Sequence, residues 1–246
     1  MKTYCISDVH GHLDNLYLFV KTLDKDDRVF VLGDAIDKGP ISLGCLQYIM
    51  ADTRFTMLLG NHEYMMFNLL SQEPGSYSYN DAYETWVDWN EGGDTLDEYN
   101  VLPKHKQLEI YNYIKNLPLN IPNVRVGDKT FYLVHSCPHS DIKQTMADVG
   151  YSDVKIGSYV WDRMTPWDKI EIDNQIIISG HTFVQEYLGY DAQEIMPVYD
   201  RKIVIGTTNQ SIVDAHYIDI DGGLATGLDN SRLIALCLDD LSYKLY

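Results

Sequence analysis

The chain has 246 residues, is 45% hydrophobic and carries a formal charge of -17 at pH 7. That suffices for one α/β domain with a sizeable core, and no linker, repeat or low-complexity tract divides residues 1–246, so a single domain is expected. The negative charge argues against non-specific binding to nucleic acid or anionic membranes, and any anion-binding site must supply its own positive charge.

Lys2 to Ser7 reads as a short strand running into Asp8-Val9-His10-Gly11-His12. Residues two apart in extended backbone face the same way, which puts Asp8 and His10 on one side. A carboxylate with an imidazole suits a borderline divalent metal such as Zn, Fe or Mn. An isolated Asp here is more often a turn residue or helix cap; His10 and Gly11 beside it favour a ligand. His12 has no identifiable partner, and Leu13 to Leu23 reads as a helix returning across the sheet.

Arg28 to Gly33 reads as a second, buried strand that stops at Asp34. Asp34 thus sits where a strand gives way to a loop, the usual place for sites in open α/β sheets, and its two oxygens can bridge two cations. Asp37 is either a further ligand or orients a nearby histidine. Lys38 is either a cation at the rim of the site or a solvated surface lysine. Gly39-Pro40 marks a turn. A helix over Ile41 to Met50 and a buried strand over Arg54 to Leu59 follow, and the strand ends in Gly60-Asn61-His62-Glu63 ahead of another helix. Asn61 offers a neutral carbonyl oxygen to a metal, His62 is free to donate a proton, and the helix start adds positive potential. Asn61 as a simple helix cap would explain the helix, but not why three strands all end in ligand-type residues.

Residues 68–122 are rich in Tyr, Trp, Asp and Glu and read as an inserted helical segment covering one side of the site, with a turn between two helices inside Trp86 to Leu96. Asn123 to Val126 and Thr130 to Val134 read as a hairpin around Gly127-Asp128. Its second strand ends in His135, and Gln175 to Ser179 ends in Gly180-His181. One histidine after an apolar run is more often structural; two more at strand ends make coincidence a poor account. Arg163 either clamps a phosphate through two parallel hydrogen bonds or pairs with Asp162 or Asp168. The remainder is strand-rich: Lys202 to Ile205, Ala215 to Ile220, Leu233 to Leu238 and Tyr243 to Leu245, with Asp219 to Gly223 turning near the site. His139 and His216 are left without a role.

Asp8, His10, Asp34, Asn61, His135 and His181 form a mixed nitrogen and oxygen set with one bridging carboxylate, suited to two divalent metal ions. Manganese is the first choice in vitro, with iron or zinc as alternatives. The ions, with Lys38 and Arg163, would make the site cationic within an acidic chain.

The blocks Asp8-Val9-His10-Gly11, Gly33-Asp34-Ala35-Ile36-Asp37-Lys38-Gly39, Gly60-Asn61-His62-Glu63, His135 and Gly180-His181 resemble those of the calcineurin-like metallophosphoesterases. Within them the chain is most similar to the phosphoprotein phosphatases, in particular the bacterial and phage-type serine/threonine phosphatases. The resemblance implies an α/β (α+β) fold of four αββα layers, two mixed sheets flanked by helices. It implies Asp8, His10 and Asp34 on one metal and Asp34, Asn61, His135 and His181 on the other. His62 would be the general acid, held by Asp37, with Lys38, Arg163 and Asn61 on the substrate phosphate. A metal-bridged hydroxide would attack phosphorus in line, on a phosphorylated protein or small phosphoester. Two positions depart from the family pattern: Ser7 stands where Gly is usual, and Lys38 where Arg is usual, which keeps the charge but loses the bidentate fork. The symmetrical bis(5'-nucleosyl)-tetraphosphatases share these blocks but usually lack the acid at the position of Asp37. A non-catalytic metal-binding scaffold is the remaining alternative.

No apolar run is long enough to span a bilayer. Met1-Lys2-Thr3 leads straight into a strand and reads as lacking a signal peptide, and Cys5, Cys45, Cys137 and Cys237 form no Cys-x-x-Cys pair. A cytoplasmic monomer without nucleic-acid or membrane partners is the expectation.

Overall fold

The computed structural model describes residues 1–139, 145–150, 153–163, 172, 174–193, 195–199 and 216–246. The chain opens with three strand–helix units: β1 (Thr3–Ile6), α1 (Leu13–Val20), β2 (Arg28–Val31), α2 (Ser42–Ala51), β3 (Phe55–Met57) and α3 (Asn61–Leu70). The helical segment continues with α4 (Tyr77–Tyr83), a π-helical turn (Glu84–Asp88), α5 (Gly93–Asn100) and α6 (Lys104–Lys115). Then come β4 (Asn120–Val126), β5 (Lys129–Val134), α7 (Met146–Val149), α8 (Asp153–Val160), β6 (Ile176–Ser179), α9 (Gln185–Leu188), β7 (Val198–Tyr199), β8 (Tyr217–Asp219), β9 (Ile234–Cys237) and β10 (Tyr243–Leu245).

The strands form two five-stranded mixed sheets, β10-β9-β1-β2-β3 and β4-β5-β6-β8-β7. In the first, β1, β2 and β3 are parallel, and β9 and β10 extend it antiparallel. In the second, β5, β6 and β8 are parallel, and β4 and β7 close the edges antiparallel. The period-two alternation of side chains assigns the faces. Cys5, Phe30 and Leu32 of the first sheet meet Phe131, Leu133, Ile178 and Ile218 of the second in one buried cluster between the sheets. Their neighbours Ile6, Val29 and Val31 face the other way, against Leu16, Phe19 and Leu46 from α1 and α2. On the far face of the second sheet, Tyr132, Val134, Ile177 and Tyr217 pack together. Burying each large apolar side chain contributes about 1.5–3 kcal/mol, so this alternation holds the layers in register. The fold is the expected pair of mixed sheets flanked by helices.

Two boundaries depart clearly from expectation. The first helix stops at Val20 rather than Leu23: the Thr22 hydroxyl turns back onto the Phe19 carbonyl, and an acidic turn follows. The hairpin strand begins at Asn120, so the helical insertion is shorter than 68–122. Pro122 has no N–H for the ladder, and the register breaks between Ile121 and Val124 at that point. The short β7 was not anticipated. The strand expected over Lys202 to Ile205 lies outside the described residues, as does Asp168. Among the described residues no helix is long and apolar enough to cross a membrane.

Candidate metal centre

The loops that follow β1, β2, β3, β5 and β6 converge at the carboxyl ends of these strands. Backbone bonds lock the first two together: Asp8 N–H donates to Gly33 O (3.2 Å), His10 N–H to Asp34 O (2.9 Å) and Gly11 N–H to Ala35 O (2.9 Å). Gly33 has φ +108°, and a Cβ there would sit 2.7 Å from the backbone of Gly60, so the loops after β2 and β3 touch only because this residue is glycine. Asp8, His10, Asp34, Asp37, Lys38 and His181 all have left-handed backbone, with φ between 43° and 68°. Such conformations cost of order 1–3 kcal/mol each and concentrate at functional sites.

All six expected ligands are buried here. His10 Nε2 lies 3.6 Å from Asp34 Oδ2 and 3.9 Å from Asp8 Oδ1. His135 Nε2 lies 3.5 Å from Asp34 Oδ2 and 2.9 Å from Asn61 Oδ1. His10, Asp34 and His62 offer ligand atoms within 4.8 Å of one another, and so do Asp34, His135 and His181. Asp34 is common to both groups, as a bridging carboxylate must be. His62 borders the first group.

The donor set fits cations. His10 Nδ1 is tied to Ile36 O (3.0 Å) and His135 Nδ1 to Leu32 O (2.8 Å), which places the ring proton on Nδ1. Each Nε2 then presents a lone pair to carboxylate or amide oxygens that are also acceptors. Protonating the rings would relieve this, but burial pushes both imidazoles well below the usual histidine range. Burial, with help from Arg163, takes His181 down to about 3. Its Nε2 bonds the Trp161 carbonyl (3.3 Å). No lysine or arginine is ion-paired to Asp8 or Asp34 among the described residues. A divalent ion facing each Nε2 would supply the missing positive charge.

The same burial raises the carboxyls of Asp8 and Asp34, each further raised by a neighbouring carboxylate, and that of Asp219. It lifts Asp221 to about 7. A carboxyl with a raised folded pKa stabilises the fold while protonated and loses that contribution as pH rises. The depressed histidines act oppositely, but only below about pH 6.5, the ordinary histidine value. Metal-free protein is therefore expected to lose thermal stability as pH rises from about 6.5 through 7, where the Asp221 carboxyl gives up its proton, by up to about 1.4 kcal/mol per pH unit. Melting curves of chelator-treated protein would check this. An increase in Tm across that window would contradict it.

Asp37 faces His62. His62 Nδ1 bonds Asp37 Oδ2 at 2.6 Å, and Asp37 is itself held by the Trp86 indole N–H (2.7 Å), by the Thr95 hydroxyl and, at its own N–H, by Ser42 Oγ (2.7 Å). Glu63 has a comparable role. Fully buried, it accepts from the N–H groups of Asp34 (2.9 Å), Ala35 (2.8 Å), Ile36 (3.3 Å) and Gly60 (3.2 Å) and so fixes both loops. Sequence reasoning gave Trp86, Thr95, Ser42 and Glu63 no such tasks. The available signals were a buried-type tryptophan in the insertion and an acid at the third position of a helix.

Lys38 lies at the rim and is ion-paired to Glu91 (2.7 Å). Arg163 donates to Thr182 Oγ1 (3.0 Å) and the His181 carbonyl (3.4 Å), which seats it beside the second group of ligands. Asp221 lies close enough to raise the Asp8 carboxyl, in line with a turn passing near the site. His12 flanks α1 and is half-buried. His139 bonds Ser158 O (2.7 Å) away from the ligands.

The chain is similar to several known proteins. A symmetrical bis(5'-nucleosyl)-tetraphosphatase of Glaesserella parasuis serovar 5 (strain SH0165) is 29% identical over 153 residues, 60% of this chain and 49% of the relative. One from Yersinia enterocolitica serotype O:8 / biotype 1B is 40% identical over 67 residues, 26% of this chain and 23% of the relative. The chain thus spans at most about half the length of these curated relatives. A metallophosphoesterase from Sphaerobacter thermophilus has the same fold, with a TM-score of 0.55 at 14% identity over 100% of this chain and 88% of that one. A cold-active protein tyrosine phosphatase superposes with a TM-score of 0.53 at 15% identity over 99% of this chain and 78% of that one. The family model for calcineurin-like phosphoesterases matches residues 1–185, and the chain belongs to that family.

Proposed function

We propose that the protein is a metal-dependent phosphomonoesterase of the serine/threonine protein phosphatase type. The observation that carries this reading is the buried His62–Asp37 pair (2.6 Å) beside the shared ligand Asp34. Expelling a serine or threonine alkoxide requires a proton at the leaving oxygen, and an imidazole held by a carboxylate is built to give one. Expelling a nucleotide from a polyphosphate chain needs far less such help.

Asp8, His10, Asp34, Asn61, His135 and His181 would hold two divalent ions, which would supply electrophilic activation and a nucleophile at neutral pH. His62 then protonates the leaving oxygen from Nε2, since Nδ1 is committed to Asp37. Asp37 keeps the ring oriented, and Trp86 and Thr95 keep Asp37 oriented. Arg163 and Lys38 neutralise the phosphoryl oxygens from two sides, and the Asn61 amide adds a polar contact to the phosphate.

A second reading, hydrolysis of dinucleoside tetraphosphates, is favoured by the names of the curated relatives. The two separate in one assay. Chelator-stripped protein reloaded with Mn, Zn or Fe is offered a phosphoserine peptide, a phosphotyrosine peptide and diadenosine tetraphosphate side by side. Metal-restored phosphopeptide turnover is expected. Turnover of the dinucleotide alone would overturn the phosphatase reading in favour of the second.

A further inference from the structure

The proposed phosphate-binding role of Lys38 meets an obstacle: its ammonium already holds a carboxylate. Lys38 Nζ lies 2.7 Å from Glu91 Oε1, with the lysine side chain 19% exposed and the glutamate 68%. Both residues have left-handed backbone, φ 68° and 60°. Glu91 lies in the turn between the π-helical turn and α5, in the same stretch that sends Trp86 and Thr95 onto Asp37. Lys38 is also close enough to the centre to disfavour a charge on His10.

We infer that Glu91 is a specificity-determining carboxylate: it occupies Lys38 in the ligand-free site and sets the site against substrates carrying further negative charge. This rests on the phosphoester reading above. An ammonium has three donors, and Glu91 uses one. An exposed ion pair is weak and easily exchanged, so an incoming phosphoryl group takes over Lys38 cheaply. The carboxylate stays at the rim beside it. A single phosphoryl group on a neutral or cationic remainder is tolerated, whereas a second anionic group meets Glu91 and is repelled. The preferred substrate is then a lone phosphoester on an uncharged or basic carrier, such as a peptide.

The test is calorimetric and needs no turnover. Manganese-loaded wild type, Glu91→Gln, Lys38→Met and the double variant are titrated with inorganic phosphate and with 3-phosphonopropionate, a non-hydrolysable phosphonate bearing an added carboxylate. Glu91→Gln should tighten phosphate by about two- to fivefold and 3-phosphonopropionate by more. The gain on phosphate should largely disappear in the Lys38→Met background. Unchanged or weaker phosphate binding by Glu91→Gln, or an equal gain without Lys38, would overturn the inference while leaving the phosphoester reading intact. Failure of metal-loaded wild type to bind phosphate would instead remove the reading on which it rests.

Discussion

Replacing His62 by asparagine is expected to lower kcat for an alkyl phosphoester by about 10²–10⁴-fold, the usual range for a lost general acid. The loss should be much smaller for p-nitrophenyl phosphate, whose leaving group departs without a proton. The asymmetry follows from the placement of the ring. Asp37 takes Nδ1 at 2.6 Å, Trp86 and Thr95 fix Asp37, and the His10 ring meets His62 edge-on with centroids 4.8 Å apart. Among the described residues the imidazole therefore has one nitrogen without a hydrogen bond, and little freedom to turn. His62 also borders one ligand group, so metal content is measured alongside. The account expects two ions per chain to be retained. An equal loss on both substrates with both ions in place would contradict the general-acid role.

The second large effect is expected at Asp34. Its Oδ2 lies 3.6 Å from His10 Nε2 and 3.5 Å from His135 Nε2, and its Oδ1 accepts the His62 N–H (3.0 Å). It is the one carboxylate common to both ligand groups among the described residues. Asp34→Asn keeps an acceptor for the His62 N–H but removes the charge between the two positions. Metal affinity should fall by more than about 100-fold, the upper end of what is lost when a residue one step removed from a metal is changed, and turnover should fall with it. The fold should persist, because the loops are also held by Glu63 and by the backbone bonds between Asp8, His10 and the residues after β2.

The clustering of the six expected ligands was legible because each lies at or just past the end of an apolar run, and apolar runs are local. Asp8 and His10 reach the same space as expected, yet not by the alternation of an extended strand. Both have left-handed backbone, and they converge through loop bonds that no short-range pattern specifies. The supporting residues were illegible for the same reason. Trp86, Thr95 and Glu63 act across separations of many residues, so only packing discloses their targets. Arg163 was left open between phosphate and Asp162 or Asp168; among the described residues it contacts Thr182 and the His181 carbonyl, and Asp168 lies outside them. The start of β4 was misplaced because Pro122 reads as a breaker, whereas the strand absorbs it at a register break. Lys38 was read as a rim cation, and its partner Glu91 came from a segment assigned only to cover the site.

Isothermal titration of chelator-stripped protein with manganese measures whether two metal sites share Asp34. Two ions per wild-type chain are expected, and at most one, weakly bound, for Asp34→Asn. A single ion or none in the wild type, or two ions still bound by Asp34→Asn, would contradict it.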